Sequence, residues 1–186
     1  MKTIILSFLL LATSLSFGQK KAVIPPIRNL RNFMLVGKID KPDDRYAIEV
    51  NLTRYLTQFG FKILPSLNYS KVGNSSEILA SDSLAEILKA KGVNKQLLVS
   101  VRGYDKKFQP ASKLPETLKE ALDQGHLFPL WQDQVTSVTF EFTLYVDGKF
   151  AGYEMVRVTG ISTRQSVFTK LEAKLEGISR KWAMTK

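Results

Sequence analysis

One stretch in the last third of the chain alternates so regularly that it constrains the fold more than any other feature. From Thr136 to Val146 apolar and polar residues alternate, which is the pattern of a strand with one buried face. Asp147 and Gly148 come next, and this dipeptide favours a type I′ turn between antiparallel strands. The pattern therefore predicts a hairpin whose return strand runs to about Thr159.

The remaining elements indicate an α/β domain (α+β is possible), with a mixed sheet of about five strands, three main helices and a C-terminal hairpin followed by a helix. Helices are indicated by an acidic start after Asp40, by apolar spacing in the second helix, and by a capping box at 162–165. The predicted strands before the hairpin cover 33–39, 61–64 and 95–101, and the first two predicted helices cover about 42–60 and 82–91, with a last helix after the capping box.

Each predicted helix has one apolar face at steps of three and four residues, which is the spacing of an amphipathic helix. These faces are expected to point towards the sheet. They consist of Ile48, Leu52, Tyr55 and Phe59 in the first helix, Leu84, Ile87 and Leu88 in the second, and Val167, Leu171, Leu175, Ile178 and Trp182 in the last.

The start of the chain is typical of a cleavable signal peptide. Lys2 precedes an apolar run at 4–12, which is too short for a membrane-spanning helix of roughly 20 residues. Small residues at Ser16 and Gly18 predict cleavage after Gly18. The chain has no cysteine, so a lipid anchor and disulfides are not expected. The sequence predicts an exported protein without a transmembrane segment, located in the periplasm or the medium.

The mature chain divides into a short leader and one domain. Residues 19–32 are basic and contain Pro25 and Pro26, which predicts an extended leader, and 33–186 form a single domain. The formal charge of +10 includes Lys2, so the mature chain carries +9. Such a charge attracts polyanions, and for an exported protein we expect an envelope protein or an anionic envelope component rather than nucleic acid. A role in solubility alone is the alternative.

Several classes of chemistry lack the residues they need. The single histidine, His126, lies beside Gly125 with no nucleophile-elbow motif in the chain. Without cysteine, one histidine cannot build a zinc site of the Cys or His type. Phosphate-binding glycine motifs are also absent from the sequence. We therefore expect no catalytic residues, no cofactor and no metal.

One pair of carboxylates is a candidate exception. With a two-residue loop and a regular ladder, Glu141 and Glu154 lie directly opposite one another on the polar face of the hairpin. Opposed like charges destabilise a sheet. The pair would be an acid/base pair sharing a proton, a ligand pair for a hard cation, or a solvated pair relaxed by nearby basic residues.

The segment 104–134 is long for a connection inside a compact domain, and we expect it to be an insert. It contains a short amphipathic helix at about 115–124, with Leu118, Ala121 and Leu122 on its apolar face. The aromatic, proline-interrupted run after it either packs over a sheet face or is presented to a partner or ligand. The candidate surface residues are Leu127, Phe128, Leu130 and Trp131, with Phe128 and Trp131 as the anchors.

Three stretches resemble a domain of the bacterial cell envelope. These are the helix-to-strand step Ile48–Phe61, the strand region Lys91–Tyr104 and the hairpin Phe142–Lys149. They are similar to the amino-terminal domain of TolB-like proteins and to related domains of exported assembly and synthase-activator lipoproteins. The resemblance implies a role in binding other envelope proteins, without an active site.

The sequence thus favours a non-catalytic exported binding or assembly factor of the bacterial envelope, acting through protein–protein contacts. A periplasmic carrier of a small apolar ligand, with 104–134 as its lid, is the alternative. An envelope hydrolase using carboxylates is a third reading, and it lacks a convincing site.

Overall fold

The structure is a computed structural model that describes residues 24–71, 76–125 and 127–185. The predicted signal peptide and His126 lie outside these ranges. Within them, no helix combines the length and the apolar character needed to cross a membrane.

Five strands form one mixed sheet, and they are β1 (Asn32–Lys38), β2 (Lys62–Pro65), β3 (Lys95–Tyr104), β4 (Ser137–Val146) and β5 (Lys149–Thr159). Their order across the sheet is β2-β1-β3-β4-β5. The strands β1, β2 and β3 run parallel to one another, whereas β4 is antiparallel to both β3 and β5.

Four α-helices cover the sheet, and three of them are substantial, so the predicted fold class is confirmed. They are α1 (Pro42–Thr57), α2 (Asp82–Ala90), α3 (Leu118–Asp123) and α4 (Arg164–Ala183). Two 3₁₀ helices, Ser66–Asn68 and Ser76–Ala80, lie between β2 and α2. Helix α4 begins with a capping box one residue later than the predicted one at 162–165, in which Thr163 and Ser166 bond each other's backbone amides.

The two faces of the sheet are covered differently. The long helices α1 and α4 pack on one face, where Leu52 and Leu171 belong to the main apolar core and Trp182 packs its ring 5.2 Å from that of Phe142. The short helices α2 and α3 cover one end of the other face, in a smaller cluster around Tyr145. The rest of that second face is left to polar side chains.

The helix faces follow the predicted spacing with one exception. Leu84 and Leu88 of α2 are buried, but Ile87 is 48% exposed, so its predicted inward position is wrong. A helix of nine residues over the end of a sheet buries only a narrow stripe of side chains, here Leu84 and Leu88. Ile87 is about 100° around the helix from Leu88 and lies outside that stripe.

The hairpin turn matches the prediction, but its ladder does not. Asp147 and Gly148 have φ values of +49° and +74°, as a type I′ turn requires. The register then slips by one residue beside Leu144, which pairs with Gly152 instead of Ala151. Ala151 is left as the extra residue of a β-bulge.

The bulge corrects the expected carboxylate pair. Glu141 lies opposite Met155, and Glu154 lies opposite Phe142. Since neighbouring residues of a strand point to opposite faces, the two carboxylates are on opposite sides of the sheet. The prediction that Glu141 and Glu154 face one another is therefore wrong.

Residues 24–31 of the leader are packed against the domain. Ile27 and Leu30 are 1% and 0% exposed and belong to the main core. The carbonyl of Pro25 accepts a bond from the amide of Tyr153 at 2.9 Å, which occupies part of the outer edge of β5. Gly152 makes this approach possible, because a Cβ there would lie 3.1 Å from the Cα of Ile27.

Candidate functional site

Polar side chains replace the apolar ones towards one end of the second sheet face. Lys38 of β1 pairs with Ser100 of β3, Ser100 pairs with Glu141 of β4, and Glu141 pairs with Met155 of β5. Directly paired residues point to the same face, so these four form one row across four strands. This row forms the floor of the candidate site.

A cavity of about 360 Å³ lies above this row, and we call it the polar pocket. Its walls come from the sheet and from the segment between β3 and β4, including α3. The charged residues of its lining are Lys38, Arg102, Lys113 and Glu141, and the rest are Leu98, Ser100, Val101, Ala111, Leu114, Pro115, Ala121, Gln124, Gly125, Phe128, Thr143, Tyr145 and Tyr153.

Glu141 is the acidic residue of the lining, and its carboxylate already has partners. Its Oε1 accepts a hydrogen bond from the hydroxyl of Tyr153 at 2.5 Å and lies 3.7 Å from Nε of Arg102. Burial, and then the bond to Glu141, raise the pKa of the Tyr153 hydroxyl, which stays protonated at neutral pH. The Glu141 carboxylate thus acts as an acceptor within the pocket wall.

A bulge in β3 places Arg102 in the pocket. Val101 pairs with Phe140 and Gly103 with Thr139, so Arg102 is the extra residue between them. Its Nε is buried and has no hydrogen-bond partner among the described residues. Gly103 has a φ of +147°, and the ring of Phe108 occupies the position where a Cβ would stand. The bulge is therefore fixed by packing as well as by the ladder.

Lys38 reaches the pocket from the carboxyl end of β1. Its Nζ donates to the backbone carbonyl of Ala121, which ties α3 to the sheet. Burial lowers the pKa of the Lys38 ammonium, while Asp123 and Glu141 act in the opposite sense. An ammonium group has two further donors, so one carbonyl does not satisfy it.

The segment from Asp105 to Thr136 closes on itself at its base. Oδ1 of Asp105 accepts bonds at 2.9 Å from the amide and the hydroxyl of Thr136 and from the amide of Ser137. The amide of Asp105 also donates to the carbonyl of Ser137. The thirty residues between therefore form a closed excursion, which rises over the polar pocket.

The aromatic run inside this excursion is held by its backbone at three successive residues. The carbonyl of Phe128 accepts from the amide of Asp40, that of Pro129 accepts from the hydroxyl of Tyr104, and the amide of Leu130 donates to Asp44 Oδ2 at 2.8 Å. Asp44 is itself buried and forms an ion pair with Arg164 of α4 at 2.7 Å. These bonds fix the run against both α1 and α4.

The four candidate surface residues divide into two pairs. Leu127 and Phe128 are each 39% exposed, and Phe128 also lines the pocket beside an edge-to-face contact with Tyr104. Leu130 is fully buried in the main core, and Trp131 is half-buried against it. Leu130 therefore packs inside the protein and is not a surface residue. For this residue the first alternative from the sequence, packing against the domain, is the one observed.

The carboxylates do not form the predicted cation-binding pair. Glu154 lies across the sheet from Glu141, where burial raises its pKa and Lys181 of α4 partly opposes that effect. Among the described residues no group of three potential metal ligands is found. A single engaged carboxylate at Glu141 does not supply the second group that paired acid/base chemistry needs.

A larger cavity of about 530 Å³ lies at the other end of the same face, between α2, α3 and the hairpin turn. Buried Gln96 forms part of its wall, and its Oε1 has no hydrogen-bond partner among the described residues. Acidic and basic side chains are mixed along this cavity, so it does not favour a charge of either sign.

The basic residues of the polar pocket were not identified from the sequence, although two of them carry a signal. Lys38 is next to the last residue of the predicted strand 33–39, and Arg102 directly follows the predicted strand 95–101. In the structure β1 and β3 are parallel neighbours, so their carboxyl ends meet at one edge. Ligands of α/β sheets commonly bind at that edge. Lys113 lies in the excursion, and no sequence pattern connects it to the strands.

No known protein family matches the sequence, and no curated protein is detectably similar to it. Among solved structures, lipoprotein GNA1162 from Neisseria meningitidis is similar, with 13% identity, a TM-score of 0.44, and 81% of this chain and 99% of that one covered. Two structures of the PelC dodecamer from Paraburkholderia phytofirmans are also similar. The first has 14% identity and a TM-score of 0.45, with 84% of this chain and 93% of that chain covered. The second has 13% identity and a TM-score of 0.43, with 87% of this chain and 94% of that chain covered. Resemblance to TolB-like domains stays a prediction, and the function must be inferred from the residues of this chain.

Proposed function

We propose that this protein is a non-catalytic exported binding factor of the bacterial cell envelope that acts through protein–protein contacts. The observation that carries the proposal is the position of Leu127 and Phe128. Both side chains are 39% exposed, on a backbone that is held at Phe128, Pro129 and Leu130. Apolar side chains presented on a fixed backbone bind at a low entropic cost, and aromatic ones dominate interface energetics.

A binding role fits the chemistry of the neighbouring pocket. The carboxylate of Glu141 already accepts a hydrogen bond from Tyr153 and lies 3.7 Å from Nε of Arg102. A single carboxylate with these partners does not provide the second group that paired acid/base catalysis needs. The side chains of the pocket thus supply recognition more readily than proton transfer.

The envelope location rests on the sequence of the first 18 residues, which is typical of an export signal. The mature charge of +9 suits the anionic surfaces of a cell envelope.

The carrier alternative is less favoured by the pocket lining. An apolar ligand in the polar pocket would remove water from Lys38, Arg102 and Glu141 without replacing it, which is costly. A lid must also open, whereas the excursion is bonded at its base by Asp105 and along its aromatic run.

Site-specific crosslinking in the native envelope tests the proposal. A photo-reactive amino acid would replace Phe128 in one variant and Lys170, on the exposed surface of α4, in a matched control. We expect one discrete crosslinked protein from position 128 that is absent from position 170 and is lost when Leu127→Ser is added. Crosslinks of equal yield and pattern from both positions would contradict a specific partner surface.

A further inference from the structure

Basic residues outnumber acidic ones around the polar pocket. Lys38, Arg102 and Lys113 line it, against the single carboxylate of Glu141. Among the described residues, neither Lys38 nor Lys113 has a carboxylate oxygen within 4 Å, whereas Arg102 reaches Glu141 at 3.7 Å. The lining of the pocket therefore carries a net positive charge, which Asp123 near Lys38 reduces but does not cancel.

The donors in this pocket are also left incomplete. Nε of Arg102 is buried without a hydrogen-bond partner among the described residues, although it is brought there by a β-bulge locked by Phe108. An unsatisfied buried donor costs free energy, and a donor on a charged group costs more. Bulges recur next to binding sites because they redirect a side chain. The hydroxyls of Ser100 and Thr143 add neutral donors on the same face.

The size and the remaining lining are those of a small-molecule site. A cavity of about 360 Å³ holds a ligand of the size of a monosaccharide. The side chains of Tyr145 and Phe128 provide apolar surface beside the charges. A ligand here would combine one charged end with a compact body.

We propose that the polar pocket binds a small molecule that carries an oxyanion group, a phosphate or a carboxylate, between Lys38 and Arg102. Ser100 lies on the floor between these two residues, and Lys113 closes the rim from the excursion. The oxygens of the ligand complete the donor set of Arg102 and Lys38 through charge-assisted hydrogen bonds. Glu141 and Tyr153 form the wall that orients Arg102. The site shares Phe128 with the proposed partner contact, but the charged groups that bind the ligand are not part of that contact.

Titration calorimetry of the mature protein at constant ionic strength tests this proposal with three probes, inorganic phosphate, D-glucuronate and D-glucose. We expect saturable binding of at least one anion and none of glucose. Binding of phosphate alone identifies a free or exposed phosphate group, and binding of glucuronate alone identifies a carboxylate on a sugar-sized body. Saturable binding of neither anion would overturn the proposal.

Variants show whether the binding is local. Arg102→Gln should weaken anion binding about tenfold, the effect of one lost hydrogen bond between charged groups. Lys113→Gln on the rim should weaken it about threefold. Lys170→Gln on α4 removes the same charge elsewhere and should change nothing. If Arg102→Gln does not fold, Lys113→Gln carries the comparison. Equal weakening by Lys113→Gln and Lys170→Gln would show a diffuse effect of net charge and would overturn the site.

The two proposals fail separately. Anion binding without a crosslink at position 128 would leave the pocket in place and remove the protein partner. A discrete crosslink with no saturable anion binding would do the reverse.

Discussion

Oδ1 of Asp105 accepts a hydrogen bond from the backbone amide of Thr136 at 2.9 Å, and this bond joins two residues 31 positions apart. It closes the base of the excursion that carries α3, Lys113 and the aromatic run. The walls of the polar pocket and the exposed Phe128 therefore share one closure point.

That closure predicts a dependence on pH. The hydrogen bonds from Thr136, first that of its amide, hold the pKa of Asp105 below its ordinary value. These hydrogen bonds contribute their full stability when the pH is above the pKa of Asp105 in the unfolded chain, which is about 3.9. That contribution is lost as the pH falls through the lower pKa that Asp105 has in the folded protein. The protection factors of the Thr136 and Ser137 amides, which correct for the intrinsic pH dependence of exchange, should fall over that acidic range in the wild type. In Asp105→Asn exchange should be faster at neutral pH and should show no corresponding step.

Glu49 of α1 should be among the most sensitive positions of the fold. Its side chain is fully buried, and Oε1 accepts from the amide of Gly37 at 2.9 Å and from the hydroxyl of Ser66 at 2.7 Å. Oε2 accepts from the amide of Leu67 at 3.1 Å. In Glu49→Gln one of these amides would face an NH₂ group, and we expect a loss of about 3 kcal/mol in urea unfolding.

The exposed Glu86 of α2 is the matched control for that experiment. Glu86→Gln should leave the unfolding free energy within about 0.5 kcal/mol of the wild type. Equal effects at the two positions would mean that the buried carboxylate of Glu49 does not hold α1 to β1.

Two glycine-to-alanine substitutions should change the stability of the protein in opposite directions. At Gly152 a Cβ would lie 3.1 Å from both the Cα of Ile27 and the carbonyl oxygen of Pro26, and backbone atoms cannot yield cheaply. Gly152→Ala should cost about 1 to 3 kcal/mol in thermal unfolding and expose 24–31 to proteases. At Gly177, inside α4, a Cβ meets nothing within 4 Å, so Gly177→Ala should add up to about 1 kcal/mol.

Two substitutions in the aromatic run should have different effects, one mainly on stability and the other mainly on binding of the partner. Leu130 is fully buried, and Leu130→Ala should cost about 2 to 5 kcal/mol in denaturant unfolding. Phe128 is 39% exposed, and Phe128→Ala should cost about 1 to 2 kcal/mol while removing the crosslinked partner. A Phe128→Ala protein that is folded and still binds its partner with unchanged yield would contradict the assignment of this surface.

Calcium should not stabilise the protein through its hairpin carboxylates. Glu141 and Glu154 point to opposite faces, so one ion cannot bridge them. We expect the same melting temperature with calcium and with a chelator. A saturable rise with calcium that disappears in both Glu141→Gln and Glu154→Gln would contradict the observed register.

Local patterns predicted the elements, and the errors came from contacts that are distant in sequence. Asp147 and Gly148 specify the turn on their own, because both need a positive φ. The slip that separates Glu141 from Glu154 lies beside Gly152, where residues of the leader pack about 125 positions away in sequence. No periodicity within the hairpin carries that information.

The site shows the same limit. Phe128 was identified because an apolar run in a long connection stands out. Lys38 and Arg102 share a pocket because β1 and β3 are adjacent in the sheet. The order of strands in a sheet cannot be predicted from the sequence of either strand alone. Arg102 is also the extra residue of a bulge in β3, and no pattern within that strand predicts the bulge.

The segment that contains Ile27 and the end of α4 complete the same core, since the amides of Asn29 and Leu30 donate to the carbonyls of Met184 and Trp182. A ribosome makes the first of these segments some 150 residues before the second. Until α4 has been synthesised, the core that buries Ile27 and Leu30 is incomplete, because the sheet lacks one of the helices that cover its main face. Native packing is therefore completed only at the last stage of synthesis.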